Sequence, residues 1–208
     1  MIIANSLMRR RDDVDLDTFQ RHWLDPHGPL TAKLPRCLHY VQNHILDTAG
    51  TNALARKLRI DGIPQLAFAT PEDRVAAHGS AELKACDKDS EQFIGAVSRV
   101  MTEVDGEVTL DTADGSIKLI LLFVVAPRAA AQPFDALLHE LQGVRRIVRH
   151  KLLQQTHAPG SRVPNLEVGV AGLADVWLSG MDAAEHNAEL LDRDGGIASF
   201  AVKTYRFI

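Results

Sequence analysis

Hydrophobic positions in this chain come in short runs separated by polar breaks, and their spacing changes from run to run. Residues 2–8 form a mostly apolar run of strand length, ended by Asp12 and Asp13. Leu16, Phe19 and Trp23 then recur at helical spacing. Asp15 is placed to cap that helix, with Asp17 in its first turn, where the helix dipole favours negative charge. Pro26 disfavours helical geometry at Asp25 and sets the predicted helix end. His27-Gly28-Pro29 reads as a loop, and 30–34 as one more short helical turn. Strands are predicted over 38–46 and 62–69. Asp89 and Gln92 read as a capping box, opening a helix whose apolar stripe is Phe93, Val97, Val100 and Met101. A strand over 103–110 closes the half.

A polar link at 111–116 follows, and the order repeats. Strands are predicted over 117–125, 144–153, 173–178 and 197–207. Helices are predicted over 133–142 and from a second capping box, Asp182 and Glu185, to about Asp192, where Gly195-Gly196 follows as a stop. Each half therefore reads β-α-β-β-α-β, the ferredoxin-like order. The predicted fold class is α+β, with tandem ferredoxin-like halves at residues 1–111 and 112–208. In each half two helices cover one sheet face, and the bare face must be buried. The two bare faces are expected to close on each other as a dimeric α+β barrel within one chain, with a lined interior.

The most distinctive segment is His22-Trp23-Leu24-Asp25-Pro26-His27-Gly28-Pro29-Leu30. Two imidazoles and a carboxylate sit within six residues, held by prolines that limit chain freedom. In the strand 38–46, alternation puts Tyr40, Gln42 and His44 on one face and Val41 and Ile45 on the other. The apolar pair is expected under the helices, and the polar three inside the barrel. A phenol, an amide and an imidazole on one cavity wall suit general acid-base work. The competing structural reading is a histidine that packs at a helix edge, and a polar sheet face open to solvent. Laid on this strand, 148–153 places Arg149 and Lys151 opposite Gln42 and His44. If both face the same interior, they would anchor an acidic substrate.

The run Phe19 to Leu30, then Leu34-Pro35, then Tyr40-Val41-Gln42-Asn43-His44, resembles the EthD family of dimeric α+β barrel proteins. The likeness reaches to about Asp47. The second half has only Gln142-Gly143 where the His-Gly-Pro-Leu loop would stand. The resemblance thus implies the fold for both halves and a retained site in the first. Related dimeric barrels include cofactor-free isomerases, cyclases, small monooxygenases and haem-binding enzymes, so the fold does not fix the reaction.

Composition narrows the field. The 208 residues are 46% hydrophobic with a net charge of -4, which suits packed cores and offers no basic surface for nucleic acid. No apolar run is long enough to span a bilayer as a helix, and no basic segment leads into a secretory signal. Cys37 and Cys86 have no motif spacing and fit a reducing, cytoplasmic compartment. His22, Asp25, His27 and His44 have metal-ligand chemistry without a metal-site spacing, and His44 as a haem ligand has no attachment motif; no metal and no cofactor are expected.

These readings converge on a cofactor-independent isomerase or lyase acting on a small organic acid or ketone from aromatic or xenobiotic catabolism. His44, Tyr40 and His27 are the expected catalytic residues. His22, Asp25, Gln42, Arg149 and Lys151 are the expected substrate-binding residues. The expected partner is a small-molecule substrate, with a homodimer possible. The alternative is a non-catalytic binding or accessory protein that uses the same cavity.

Overall fold

The computed structural model describes residues 1–111, 115–124, 140–156 and 162–208. Eight strands close into one antiparallel barrel: β1 (Ile2–Arg10), β2 (Cys37–Ile45), β3 (Gly62–Phe68), β4 (Ile94–Thr109), β5 (Ile117–Val124), β6 (Val144–Thr156), β7 (Val170–Leu178) and β8 (Ile197–Arg206). Around the barrel the order is β1-β3-β2-β8-β5-β7-β6-β4. This corrects the expected pair of ferredoxin-like sheets packed face to face as a dimeric α+β barrel. The reason lies in the hydrogen bonding. Strand β2 pairs with β8, and β4 pairs with β6, so the ladders run from one half into the other and leave no sheet edge.

Helices lie outside the barrel. The first half carries α1 (Leu16–His22), a π-helical turn (Trp23–His27), α2 (Gly28–Thr31), α3 (Ala53–Leu58), α4 (Pro71–His78) and α5 (Ala81–Ser90). In the second half, α6 (Met181–Asp194) follows β7. All but the last three residues of the predicted helix 133–142, and the centre of the predicted link 111–116, lie outside the described residues. Asp15 caps α1 as its sequence position requires, accepting from the Thr18 amide.

Three expectations fail locally. The helix does not stop at Asp25; it widens into the π-turn with Pro26 inside. The stripe Phe93, Val97, Val100, Met101 is not helical either. Strand β4 runs through it, paired with β1 on one side and β6 on the other, while the helix lies upstream as α5. Nor does Asp182 cap α6, whose N-cap is Gly180.

Alternate strand residues point into the barrel. Leu7, Ile45, Ile63, Val100, Ile120, Leu122, Leu173 and Phe200 form its main apolar core. The same interior also buries Asn5, Asn43, Gln65, Thr102, Lys118, His150 and Asp175. Outside the second half, α6 covers a further apolar cluster that includes Leu119, Leu121, Val176 and Leu191. Outside the first half, the helices cover something different.

Candidate active site

A cavity of about 400 Å³ lies between the outer face of the first-half sheet and its helices. Its sheet-side lining includes Ala4, Ser6, Met8, Pro64 and Leu66. Its helical side includes Trp23, His27, Thr31, Leu34, Arg74, Leu83 and Cys86. The volume falls within the range of small-molecule sites.

The expected register of β2 is off by one face. Tyr40, Gln42 and His44 point outward under the π-turn, and Asn43 and Ile45 point into the barrel. Stacking shows it directly: the His44 ring lies on Trp23, with centroids 4.3 Å apart. Tyr40 lines the cavity with His27, whereas Gln42 and His44 sit behind it, fully buried. They are still connected. The Gln42 amide nitrogen donates to the Trp23 carbonyl at 2.7 Å and to the Tyr40 hydroxyl oxygen at 2.6 Å. Its carbonyl oxygen is thereby left to accept from His44 Nε2 at 2.8 Å. His44, Gln42 and Tyr40 thus form a chain that ends at the cavity.

Burial shapes each group in this chain. It lowers the His44 pKa to about 4, with Lys203 adding to the effect, so the imidazole is neutral near pH 7. It raises the Tyr40 pKa above the ordinary phenol value, so Tyr40 keeps its O–H proton and can donate it. The Phe207 ring stacks on Tyr40 with centroids 4.9 Å apart and fixes the phenol.

The π-turn explains the motif. A Cβ at Gly28 would collide with the Phe207 ring and crowd the Gln42 amide, so glycine alone lets α2 lie this close to β2. His27 closes this turn, is buried and lines the cavity. His27 Nδ1 lies 2.9 Å from Asp89 Oδ2. His22 Nε2 meets the same carboxylate at 3.1 Å and 3.2 Å. Asp89 thus bridges two imidazoles from the last turn of α5. Its carboxylate accepts from Nδ1–H of His27, which leaves Nε2 as the acceptor. Burial lowers the His27 pKa below its ordinary value, against the opposing pull of Asp89.

Asp89 was legible only as a helix cap; its contacts lie 62 and 67 residues away in sequence. Asp25, expected among the substrate-binding residues, is exposed. Arg149 and Lys151 do not face the barrel interior. His150 between them does, and Lys151 is exposed beside Glu103 at 3.4 Å. Arg149 lies against Gly106 on the neighbouring strand, away from the cavity. Among the described residues no cluster of three or more metal-ligating side chains forms. None of the described helices is long and apolar enough to cross a membrane.

Residues 11–96 match the family model of the EthD domain. The match lies within the first half of the chain. The matched stretch holds His22, His27, Tyr40, His44 and Asp89, so the chain of buried polar groups and the histidine–carboxylate pair both lie within the matched residues. An anthrone oxidase-like protein shares the fold, with TM-score 0.62 and 13% identity over 99% of this chain and 92% of its own. A candidate monooxygenase from Fusobacterium nucleatum subsp. nucleatum matches with TM-score 0.53 and 8% identity over 98% and 91%. At these identities the likeness is one of fold. No curated protein matches the chain in sequence.

Proposed function

We propose that this EthD-domain protein is an enzyme that moves protons on a small, ring-bearing organic acid or ketone, with His27 as the acid-base group. One observation carries the reading: a buried imidazole, held on one nitrogen by Asp89, lines a cavity that Tyr40 also lines. His27 Nε2 takes a proton from carbon next to a carbonyl. Asp89 steadies the imidazolium that results. Tyr40 donates to the oxygen on which negative charge grows, and Gln42 and His44 hold that hydroxyl in place.

The carbanion then has several fates. Reprotonation at another carbon is isomerisation, loss of a β-hydroxyl as water is dehydration, and attack on a second carbonyl is cyclisation. The names of the two fold neighbours favour a second reading, in which dioxygen is the co-reactant: a ring methylene and O₂ give a ring carbonyl and water. Deprotonation by His27 is the first step in both.

Anthrone serves as a probe for both readings. Under nitrogen in deuterated buffer, the protein is expected to speed deuterium entry at the methylene carbon, and His27→Asn to slow it by roughly 10²–10⁴-fold. Under air, oxygen uptake with formation of anthraquinone marks the oxidative fate. Exchange no faster than in buffer, despite measurable binding of anthrone, would leave the protein a binder and remove His27 from catalysis.

A further inference from the structure

Three arginines line the cavity; Arg162 is exposed and lies 3.5 Å from Glu91, which leaves two on different elements opposite the histidine wall. Arg74 comes from α4, and Arg99 from the outward face of β4, where it pairs with Ser6 of β1. Both are partly buried, the Arg99 side chain 21% exposed. The Arg74 Nε is buried with no hydrogen-bond partner among the described residues, and its guanidinium lies 5.6 Å from the Phe68 ring centroid. Asp87 is the nearest counter-charge, 4.0 Å from Arg99 and more than half exposed. Burial, with Arg99 close by, lowers the Arg74 pKa to about 10, which still leaves it charged.

An unpaired buried donor on a charged group costs free energy that the fold would otherwise shed. Two guanidiniums that repel each other add to that cost. Arginine at this position makes sense when something negative arrives to meet it, since its planar fork matches a carboxylate with two parallel hydrogen bonds.

The floor between the two walls sets the size of what binds. Tyr40 on β2 pairs with Leu66 on β3, and Leu66 pairs with Ala4 on β1, the strand that carries Ser6 beside Arg99. From β2 to β4 is three strand spacings, about 14 Å. Arginine side chains extend inward from one end and His27 and Tyr40 from the other, which leaves room for a ring system of one to three fused rings. The floor under it is small or apolar: Ala4, Ser6, Pro64 and Leu66.

We propose that Arg74 and Arg99 form a carboxylate anchor, and that the natural ligand is a ring compound with its carboxylate at the end opposite the carbon that His27 deprotonates. The second clause rests on the acid-base reading of His27; the anchor itself does not. In this arrangement both jobs, acid-base work and anchoring, fall to the EthD half, and Arg149 and Lys151 have no part in anchoring.

The test uses equilibrium binding of 2-naphthoate and of its neutral analogue 2-naphthamide, by calorimetry on the full chain. The wild type is expected to bind the acid at least tenfold more tightly than the amide. Arg74→Gln and Arg99→Gln should each weaken the acid by tenfold or more and change the amide by less than threefold. Thermal melts of both variants check folding, and two arginines on separate elements guard against one variant failing to fold. Equal affinity for acid and amide in the wild type, or equal loss of both in the variants, overturns the anchor. Deuterium exchange is not part of this readout, so an inactive His27 reading leaves the anchor standing, and a failed anchor leaves the exchange result intact.

Discussion

The barrel interior and the cavity beneath the helices use the same residue types to opposite ends. Inside the barrel, Lys118 donates to Asn43 at 3.2 Å and Gln65 at 3.1 Å, and lies 3.1 Å from Asp175. His150 faces the same carboxylate at 3.5 Å, and Asn5 joins Gln65 to Thr102. Lys118 meets Asp175, amides close most of the gaps, and His150 Nε2 is left without a hydrogen-bond partner among the described residues. In the outer cavity, Asp89 fixes one nitrogen of His27, and His27, Tyr40 and Arg74 all line an open volume, with Arg74 Nε lacking a hydrogen-bond partner among the described residues. A buried histidine beside a carboxylate is therefore no sign of chemistry in itself. What separates the two regions is whether a hydrogen-bonding position is left open toward a volume that a ligand can fill.

Breaking the closed network should have the largest effect on stability. Burial raises the Asp175 pKa, but Lys118 and His150 outweigh it and hold the carboxyl well below its ordinary range. Asp175→Asn strands two basic groups in the interior. The expected loss is about 3–5 kcal/mol, read from urea unfolding. The sign with pH follows from the lowered folded value. Stability from Asp175 is fully present above the unfolded pKa of about 3.9 and is lost as pH falls below it. The variant should lack that acid limb. A loss under about 1 kcal/mol would mean that the network contributes little, and the contrast would weaken.

The open site should respond in rate rather than in stability. Asp89→Asn keeps the shape near His27 but loses the charge that supports an imidazolium. Exchange at the anthrone methylene is expected to fall roughly 10–100-fold, less than in His27→Asn, as befits a group that acts through another. A pH profile separates this from simple loosening. The rate of kcat/KM should rise with pH through the His27 pKa, which burial places below 6.5. Without Asp89 that limb should move to lower pH still, because the opposing pull of the carboxylate is gone. An unmoved limb would reduce Asp89 to packing.

The sequence already carried much of this contrast, but not its orientation. Every predicted strand overlaps an observed one, because strand-length apolar runs bounded by turns survive any arrangement of the sheet. The EthD-like run contains both His27 and Tyr40, and both line the cavity. What failed was the face. In β2 the residues from Gln42 to Ile45 are all buried, since helices cover one side and the barrel the other. Alternation separates the two sets and cannot say which set is inside. The helix predicted from Phe93 failed for a related reason. Its apolar spacing also suits a strand, and pairing with β1 and β6 decides the matter from far away in the chain. Asp89 belongs to the same class of miss: nothing near it in sequence announces two histidines more than sixty residues upstream.

The smallest expected effect tests whether His44 belongs to the closed region or the open one. It sits between them, bonded to Gln42, stacked on Trp23 and edge-on to Tyr205 at 4.8 Å, with Lys203 as the neighbouring charge. Its folded pKa of about 4 lies below the ordinary histidine value. As pH falls below about 6.5 the unfolded chain takes up a proton that folded His44 refuses. Stability should therefore be full above about pH 6.5 and decline toward pH 4 by on the order of 1 kcal/mol per pH unit. His27 is lowered in the same sense and adds to the slope. Asp175 titrates at lower pH and stays outside this window. His44→Phe keeps a ring on Trp23 and removes the titrating group. Urea unfolding of this variant between pH 7 and pH 5 should show a flatter slope than the wild type, and His27→Asn should account for the remainder. An unchanged slope in His44→Phe would mean that His44 protonates freely in the folded protein. The chain through Gln42 to Tyr40 would then be open to water, and the closed backing that keeps the Tyr40 proton in place would be lost.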